Sequence, residues 1–128
     1  MVALVDRDDP HHARCAAALD RISSEDFVTT WPCLTEAMYL LGKRRGFIAQ
    51  EDLWGYVDEG VIKLYQPSLR EWERIHTLMR QYRDTPMDLA DASLVVAGEQ
   101  LDLARIFTTD SHFQAYRMHG REAFDVIP

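Results

Sequence analysis

The chain has 128 residues, 47% of them hydrophobic and 27% charged, with a formal net charge of −7 at pH 7. These values fit one soluble globular domain and exclude a membrane protein, because no apolar run is long enough to cross a bilayer. The negative charge argues against a general nucleic-acid coat protein, which needs a basic field, but not against a nuclease whose acidic site holds its own counter-cation.

The two cysteines, Cys15 and Cys33, lack the spacing of a metal or redox pair. Two buried free thiols are typical of a reducing compartment, so the sequence favours a cytoplasmic protein. The N-terminus also lacks the charged and then apolar layout of a signal peptide.

Short strands alternate with longer helices, which is typical of a parallel sheet covered by helices on both faces. Residues 1–5 form a short apolar run that we interpret as the tail of a strand, ended by an acidic turn and Pro10. The pattern then predicts a helix over 11–22, a loop over 23–26, a strand over 27–30, helices over 32–43 and 48–59, a strand over 61–65, a helix over 69–82, an apolar helix starting near 88, a strand over 105–108, a short helix over 111–118 and a last strand over 124–127.

Residues 87–110 contain the most informative group of side chains. Asp88 and Asp91 are three residues apart at the start of the apolar helix, so they share one face of it. Asp110 follows the strand over 105–108, at the strand end where open α/β sheets bind ligands. Carboxylates gathered there repel one another unless a cation or protons neutralise them. No basic residue lies between Asp88 and Asp102.

Each acidic residue also has a structural explanation. Asp88 is best explained as a helix cap that also assists a site. Asp91 lies one turn into a helix that looks buried nearly all round, so its carboxylate needs a partner, and a metal role is favoured. Asp110 could equally be the cap of the following helix. Glu36, taken alone, is a solvated residue at the rim of its helix.

The convergence of Glu36, Asp88, Asp91 and Asp110 favours a metal site, because each lies just beyond the end of a predicted strand. Carboxylate oxygens with room for water are the ligands that Mg²⁺ or Mn²⁺ prefers. The histidines show no zinc spacing, and there is no phosphate loop or serine nucleophile elbow. The basic run over 43–45 is explained by a solvated helix end, with phosphate steering as the minority interpretation.

Three short motifs in this order resemble the PIN-domain family: Glu36 on its helix, D-x-x-D-A over 88–92, and T-x-D-x-x-F over 108–113. The chain is most similar to VapC-like ribonucleases, the toxins of bacterial type II toxin–antitoxin pairs. The resemblance implies a three-layer α/β/α fold with a central, mostly parallel sheet, in a single domain over residues 1–128. It also implies a metal-dependent endoribonuclease in which Glu36, Asp91 and Asp110 are catalytic and bind Mg²⁺ or Mn²⁺, with Asp88 as an accessory ligand.

The resemblance further implies an RNA substrate, an antitoxin partner, a homodimer and no association with membranes. One departure concerns the family's first catalytic aspartate, which ends the first strand a few residues before the segment matching Val2-Ala3-Leu4. This sequence begins at Met1, so that aspartate and most of the first strand are absent. Asp6 is a poor substitute because its match lies past the first helical turn. Either the true start lies upstream, or the chain is a shortened and impaired member.

Two other classes of function remain open. A degenerate, catalytically impaired PIN domain would act as a protein-binding module for an antitoxin-like partner. A receiver-like phospho-acceptor also gathers acids around Mg²⁺ at strand ends, but it requires a lysine after a late strand, and none follows Thr108.

Overall fold

A computed structural model describes residues 1–22 and 27–127, and the loop predicted over residues 23–26 lies outside them. The chain divides into two compact units, Met1–Leu64 and Tyr65–Pro128. Both units combine helices with short strands, as the sequence predicted. None of the described helices combines the length and the apolar character that crossing a bilayer requires.

The first unit consists mainly of helices around one small pair of strands. Strand β1 pairs with strand β2, and helix α3 packs against helix α4. The core is apolar and is formed by Leu34, Ala37, Leu41, Ala49, Leu53 and Ile62. The elements are α1 (Val2–Val5), α2 (His12–Arg21), β1 (Phe27–Thr30), α3 (Trp31–Arg45), α4 (Phe47–Asp58) and β2 (Ile62–Tyr65).

The predicted strand over residues 1–5 is wrong, because Val2–Val5 forms the short helix α1. The Asp6 N–H donates to the Val2 carbonyl at 2.8 Å, which closes a helical turn. Helix α1 packs against α2, α3 and α4. A short apolar run has too few residues to show a period, so periodicity cannot separate a buried strand from a buried turn of helix.

The basic run at the end of α3 is held by ion pairs with the acidic turn after α1. Arg44 pairs with Asp9 at 3.1 Å, and the Arg45 Nε lies 3.4 Å from Asp6, whose side chain is buried. Arg45 also pairs with Asp8. These contacts favour a structural role for both arginines over phosphate steering.

The second unit packs two helices against short strands. Helices α5 and α6 pack on each other, β3 and β6 are parallel, and β4 and β5 form an antiparallel pair. In the parallel pairing of β3 with β6, Arg105 lies opposite Asp125. The elements are α5 (Leu69–Gln81), α6 (Leu89–Leu101), β3 (Arg105–Phe107), a 3₁₀ helix (Ser111–Gln114), β4 (Arg117–Met118), β5 (Glu122–Ala123) and β6 (Asp125–Ile127).

The helix predicted over residues 111–118 is correct only for its first half. Ser111–Gln114 is a 3₁₀ helix, and Arg117–Met118 leaves it to form β4. Phe113, Tyr116 and Met118 are all buried, which a straight short helix could not achieve on one face. The apolar positions therefore belong to two different local structures.

Helix α6 is the central element of this unit and is buried nearly all round, as predicted. Its residues Ala92, Val95 and Val96 are 0% exposed. They pack in one core with residues of α5, β3, the 3₁₀ helix and the segment that follows it, which include Ile75, Leu78, Ile106, Phe113, Tyr116, Met118 and Phe124. This packing fixes the start of α6, where two of the predicted site residues lie.

Candidate metal centre

Asp88 and Asp91 hold the start of α6 in a reciprocal pair of hydrogen bonds. Asp88 is the N-cap in extended conformation, and its Oδ1 accepts from the Asp91 N–H at 2.9 Å. The Asp91 Oδ2 in turn accepts from the Asp88 N–H at 3.4 Å. This capping box satisfies two free N–H groups at the helix start. Asp88 therefore has the capping role that the sequence predicted, and Asp91 takes part in the same cap beside it.

Asp91 lies partly buried below this cap, and its Oδ2 also accepts from the Tyr116 hydroxyl at 3.2 Å. Within the described residues, the donors to the Asp91 carboxylate are therefore all neutral. Burial and then the charge of Asp88 raise the pKa of Asp91 to about 6, with a smaller contribution from Asp110. Hydrogen bonds from Asp88 and Tyr116 oppose this rise but do not cancel it. The carboxylate is thus short of positive charge.

Asp110 lies after β3, where the backbone leaves the parallel strand pair. Its N–H donates to the Thr108 Oγ1 at 3.1 Å, and its Oδ1 accepts from the His112 N–H at 2.8 Å. The His112 Nδ1 is also 2.8 Å from that oxygen. Asp110 is therefore the N-cap of the 3₁₀ helix, and its side chain stays 40% exposed.

Three of the four predicted site residues belong to this one unit and influence one another electrostatically. The charges of Asp88 and Asp110 both raise the pKa of Asp91, and both also raise that of Tyr116. A neighbouring like charge disfavours the ionised form of an acid, which is the direction of both shifts. These electrostatics are consistent with one acidic group around the start of α6.

Glu36 belongs to the other unit, where it lies on α3 in the second turn after β1. Its side chain is exposed, as the rim position predicted. That it joins Asp91 and Asp110 in one site stays a prediction.

The chemistry of these residues suits a hydrated hard cation. Within residues 1–22 and 27–127, no three acidic, histidine or cysteine side chains are gathered closely enough to hold a metal by themselves. Mg²⁺ usually binds through one or two carboxylates and keeps several waters, so it does not need a closed protein cage. Asp88 and Asp91, with Asp110 nearby, supply oxygen ligands and an unneutralised negative charge. The residues therefore fit Mg²⁺ or Mn²⁺ with part of its water shell.

Tyr116 is the residue of this centre that the sequence did not reveal. It lies 25 residues after Asp91 and is 0% exposed. In the sequence it lies three residues after Phe113, a spacing that is typical of the core. Its hydroxyl could have pointed to this role, because a buried tyrosine needs a hydrogen-bond partner and the Asp91 carboxylate needs a donor.

Comparisons with known proteins concern the fold and the family of the chain. Residues 1–117 match the family described as PIN domain. Ribonuclease VapC26 of Mycobacterium tuberculosis is 30% identical over 130 aligned residues, which cover 100% of this chain and 95% of that protein. The crystal structure of VapC20 from the same organism, a sarcin–ricin loop cleaving toxin, matches with a TM-score of 0.78 and 19% identity over 89% of this chain and 87% of that one. These matches confirm the predicted α/β fold class.

Proposed function

Because the chain belongs to the PIN-domain family, we propose that it is a divalent-metal-dependent endoribonuclease, the toxin of a type II toxin–antitoxin pair. The observation on which the proposal rests is the acidic group at the start of α6. Among the residues that the structure describes, Asp91 accepts hydrogen bonds only from neutral donors, and the charges of Asp88 and Asp110 raise its pKa, as expected for a cation-binding carboxylate. A full-length relative that is named a ribonuclease supports the choice of reaction.

Each acidic residue has a distinct role in the proposal. Asp91 and Asp110 hold Mg²⁺ or Mn²⁺, and Asp88 adds a carboxylate while it caps the helix. Glu36 binds the metal or orients the attacking water. A divalent cation held by these residues would stabilise negative charge on the RNA phosphodiester, activate water for hydrolysis and offset the repulsion between RNA and a chain with a net charge of −7.

We further propose a cognate antitoxin, a homodimer and a cytoplasmic location. Cys15 and Cys33 are both buried thiols, which is consistent with a reducing compartment. Both units expose large apolar side chains that a protein partner could cover. They include Tyr39, Phe47 and Ile48 in the first unit, and Leu69 and Trp72 in the second.

Cleavage of RNA by the purified chain tests the proposal. We expect cleavage within the strand in Mg²⁺ or Mn²⁺ and none in EDTA. Asp110→Asn and Glu36→Gln should each lower kcat by about 10²–10³-fold, as removal of one preorganised group typically does. Asp84→Asn and Glu51→Gln remove the same charges from exposed positions elsewhere and should cleave like the wild type.

Metal-independent cleavage, or full activity in Asp110→Asn, would contradict the proposed site. A folded wild-type chain that binds an antitoxin but cleaves no RNA would favour the protein-binding module instead. Loss of activity in Asp110→Asn but not in Glu36→Gln would remove Glu36 from the centre and leave the aspartates in place.

A further inference from the structure

We propose that Tyr116 is a positioning residue for Asp91: its hydroxyl holds the carboxylate in one orientation and so presents Oδ1 to the metal. The expected effect of Tyr116 on cleavage rests on the proposed function. Its expected effect on the orientation of the Asp91 carboxylate rests on geometry alone.

The hydroxyl of Tyr116 lies between two acceptors at equal distance. It is 3.2 Å from the Asp91 Oδ2 and 3.2 Å from the Pro86 carbonyl oxygen. The hydroxyl has a single proton to donate, so the two acceptors compete for it. An ionised carboxylate is a stronger acceptor than a neutral carbonyl, so the bond to Asp91 is favoured, and Pro86 keeps the hydroxyl next to the segment that leads into α6.

Both donors to the Asp91 carboxylate act on the same oxygen. The Asp88 N–H and the Tyr116 hydroxyl each reach Oδ2. Among the described residues, none donates a hydrogen bond to Oδ1. Two fixed bonds to Oδ2 restrict rotation of the carboxylate, so Oδ1 keeps one direction and remains available to a cation.

The ring of Tyr116 is held by two aromatic neighbours. Tyr82 and Phe113 each contact it edge to face, with ring centroids 5.1 Å apart in both pairs. Phe113 is itself 1% exposed and packs edge to face on Phe124 at 5.6 Å. A ring enclosed in this way cannot move its hydroxyl away from Asp91 without disturbing the core.

Tyr116 also connects Asp91 to Asp110 through the backbone. Its N–H donates to the His112 carbonyl at 3.3 Å, and the His112 N–H donates to the Asp110 Oδ1 at 2.8 Å. The segment that carries Asp110 and the helix that carries Asp91 are thus linked through one residue. Groups that orient metal-binding carboxylates in this way commonly change metal affinity or activity by about 10–100-fold when removed.

Tyr116→Phe tests this role because it keeps the ring and removes only the hydroxyl. Tyr82→Phe is the matched control: its ring belongs to the same aromatic cluster, and its hydroxyl accepts from the Arg117 N–H. We expect Tyr116→Phe to weaken Mn²⁺ binding, measured by calorimetry without RNA, by about 10–100-fold. kcat should fall by a similar factor while KM for RNA stays unchanged. Tyr82→Phe should stay close to the wild type in all three measurements.

Two further measurements separate orientation from general stability. Replacing Tyr116 with 4-aminophenylalanine returns a hydrogen-bond donor to the same position and should restore most of the Mn²⁺ affinity. The carboxyl ¹³C resonance of Asp91, recorded without metal or RNA, should shift in Tyr116→Phe and not in Tyr82→Phe. That signal decides the proposal even if the wild type cleaves no RNA, which would count only against the proposed function.

A folded Tyr116→Phe variant with the wild-type Asp91 resonance and wild-type Mn²⁺ affinity would overturn the inference. Equal losses in Tyr116→Phe and Tyr82→Phe would do so as well, because they would show that only the aromatic packing matters.

Discussion

Asp91 has a charge that the folded chain stabilises poorly in the absence of a cation. Burial and the neighbouring charge of Asp88 raise its pKa from 3.8 to about 6. An acid with a raised folded pKa binds its proton more tightly in the folded chain than in the unfolded one. The metal-free protein should therefore gain stability as the pH falls from above 6 toward 4.

Asp91→Asn should remove this penalty. The Asp88 N–H and the Tyr116 hydroxyl both donate to the Oδ2 of Asp91, so the single amide oxygen of asparagine can accept both hydrogen bonds. We expect the metal-free variant to be about 1–2 kcal/mol more stable than the wild type above pH 6, allowing for the partial exposure of the site. The difference should disappear near pH 4, where Asp91 is protonated in the wild type.

Urea denaturation of both proteins across this pH range is the measurement, with EDTA present throughout. Asp84→Asn, which removes a carboxylate whose side chain is 92% exposed, is the control for net charge. A large loss of stability in Asp91→Asn at every pH would instead show that the residue acts as a structural cap.

The sequence predicted that the Asp91 carboxylate needs a hydrogen-bond donor, but it did not identify that donor. An aspartate flanked by alanines in an apolar helix must find a donor, and that follows from composition alone. The donor is 25 residues away, and only the folded chain brings the two together. Side-chain partners across such distances depend on packing, which local patterns do not encode.

Helices α5 and α6 are joined by an ion pair that sits away from the acidic site. Arg74 donates from Nε and Nη2 to the two carboxylate oxygens of Glu99 at 3.0 and 2.7 Å. The His119 N–H donates to Glu99 as well, at 2.7 Å. Burial acts to raise the pKa of Glu99, but these hydrogen bonds outweigh it and leave the pKa below its ordinary value of 4.5.

Arg74→Ala should destabilise the protein by about 2–4 kcal/mol at neutral pH, because it leaves Glu99 buried without its counter-charge. A lowered folded pKa means that Glu99 stabilises the wild type above pH 4.5 and that this contribution is lost as the pH falls through the folded pKa. The difference between the variant and the wild type should therefore shrink in acid.

Thermal or urea unfolding at neutral pH and at low pH measures this difference. Arg83→Ala breaks the exposed pair with Asp84 and should leave stability unchanged at both pH values. An Arg74→Ala variant as stable as Arg83→Ala would show that the pair does not join the two helices energetically.

The long helices and the short strands β1, β2, β3 and β6 were predictable from the sequence, whereas the short elements α1 and β4 were not. Helices α3 to α6 lie close to their predicted positions because each repeats its apolar residues over three turns or more. Helix α1 was mistaken for a strand, and β4 was assigned to a helix, because four or two residues show no period. Met118 of β4 is buried in the core of the second unit, and a local pattern cannot show such a tertiary contact.

For the whole molecule, the order of motifs along the chain predicted the family. The acidic residues near 36, 88–92 and 108–113 occur in that order, and the family match over residues 1–117 confirms the identification. The sequence also predicted one domain over all 128 residues and a site that joins Glu36 to Asp91. Both stay predictions, because they depend on how the units Met1–Leu64 and Tyr65–Pro128 are arranged.

The central claim is that the acidic group around Asp91 holds a divalent cation. Calorimetric titration of the wild type and of Asp91→Asn with Mn²⁺, without RNA, measures this directly. We predict saturable binding to the wild type and an affinity at least about tenfold lower in the folded variant, because one ligand and one charge are lost. Equal Mn²⁺ affinity in the two proteins would contradict the claim and would leave Asp91 as a helix cap.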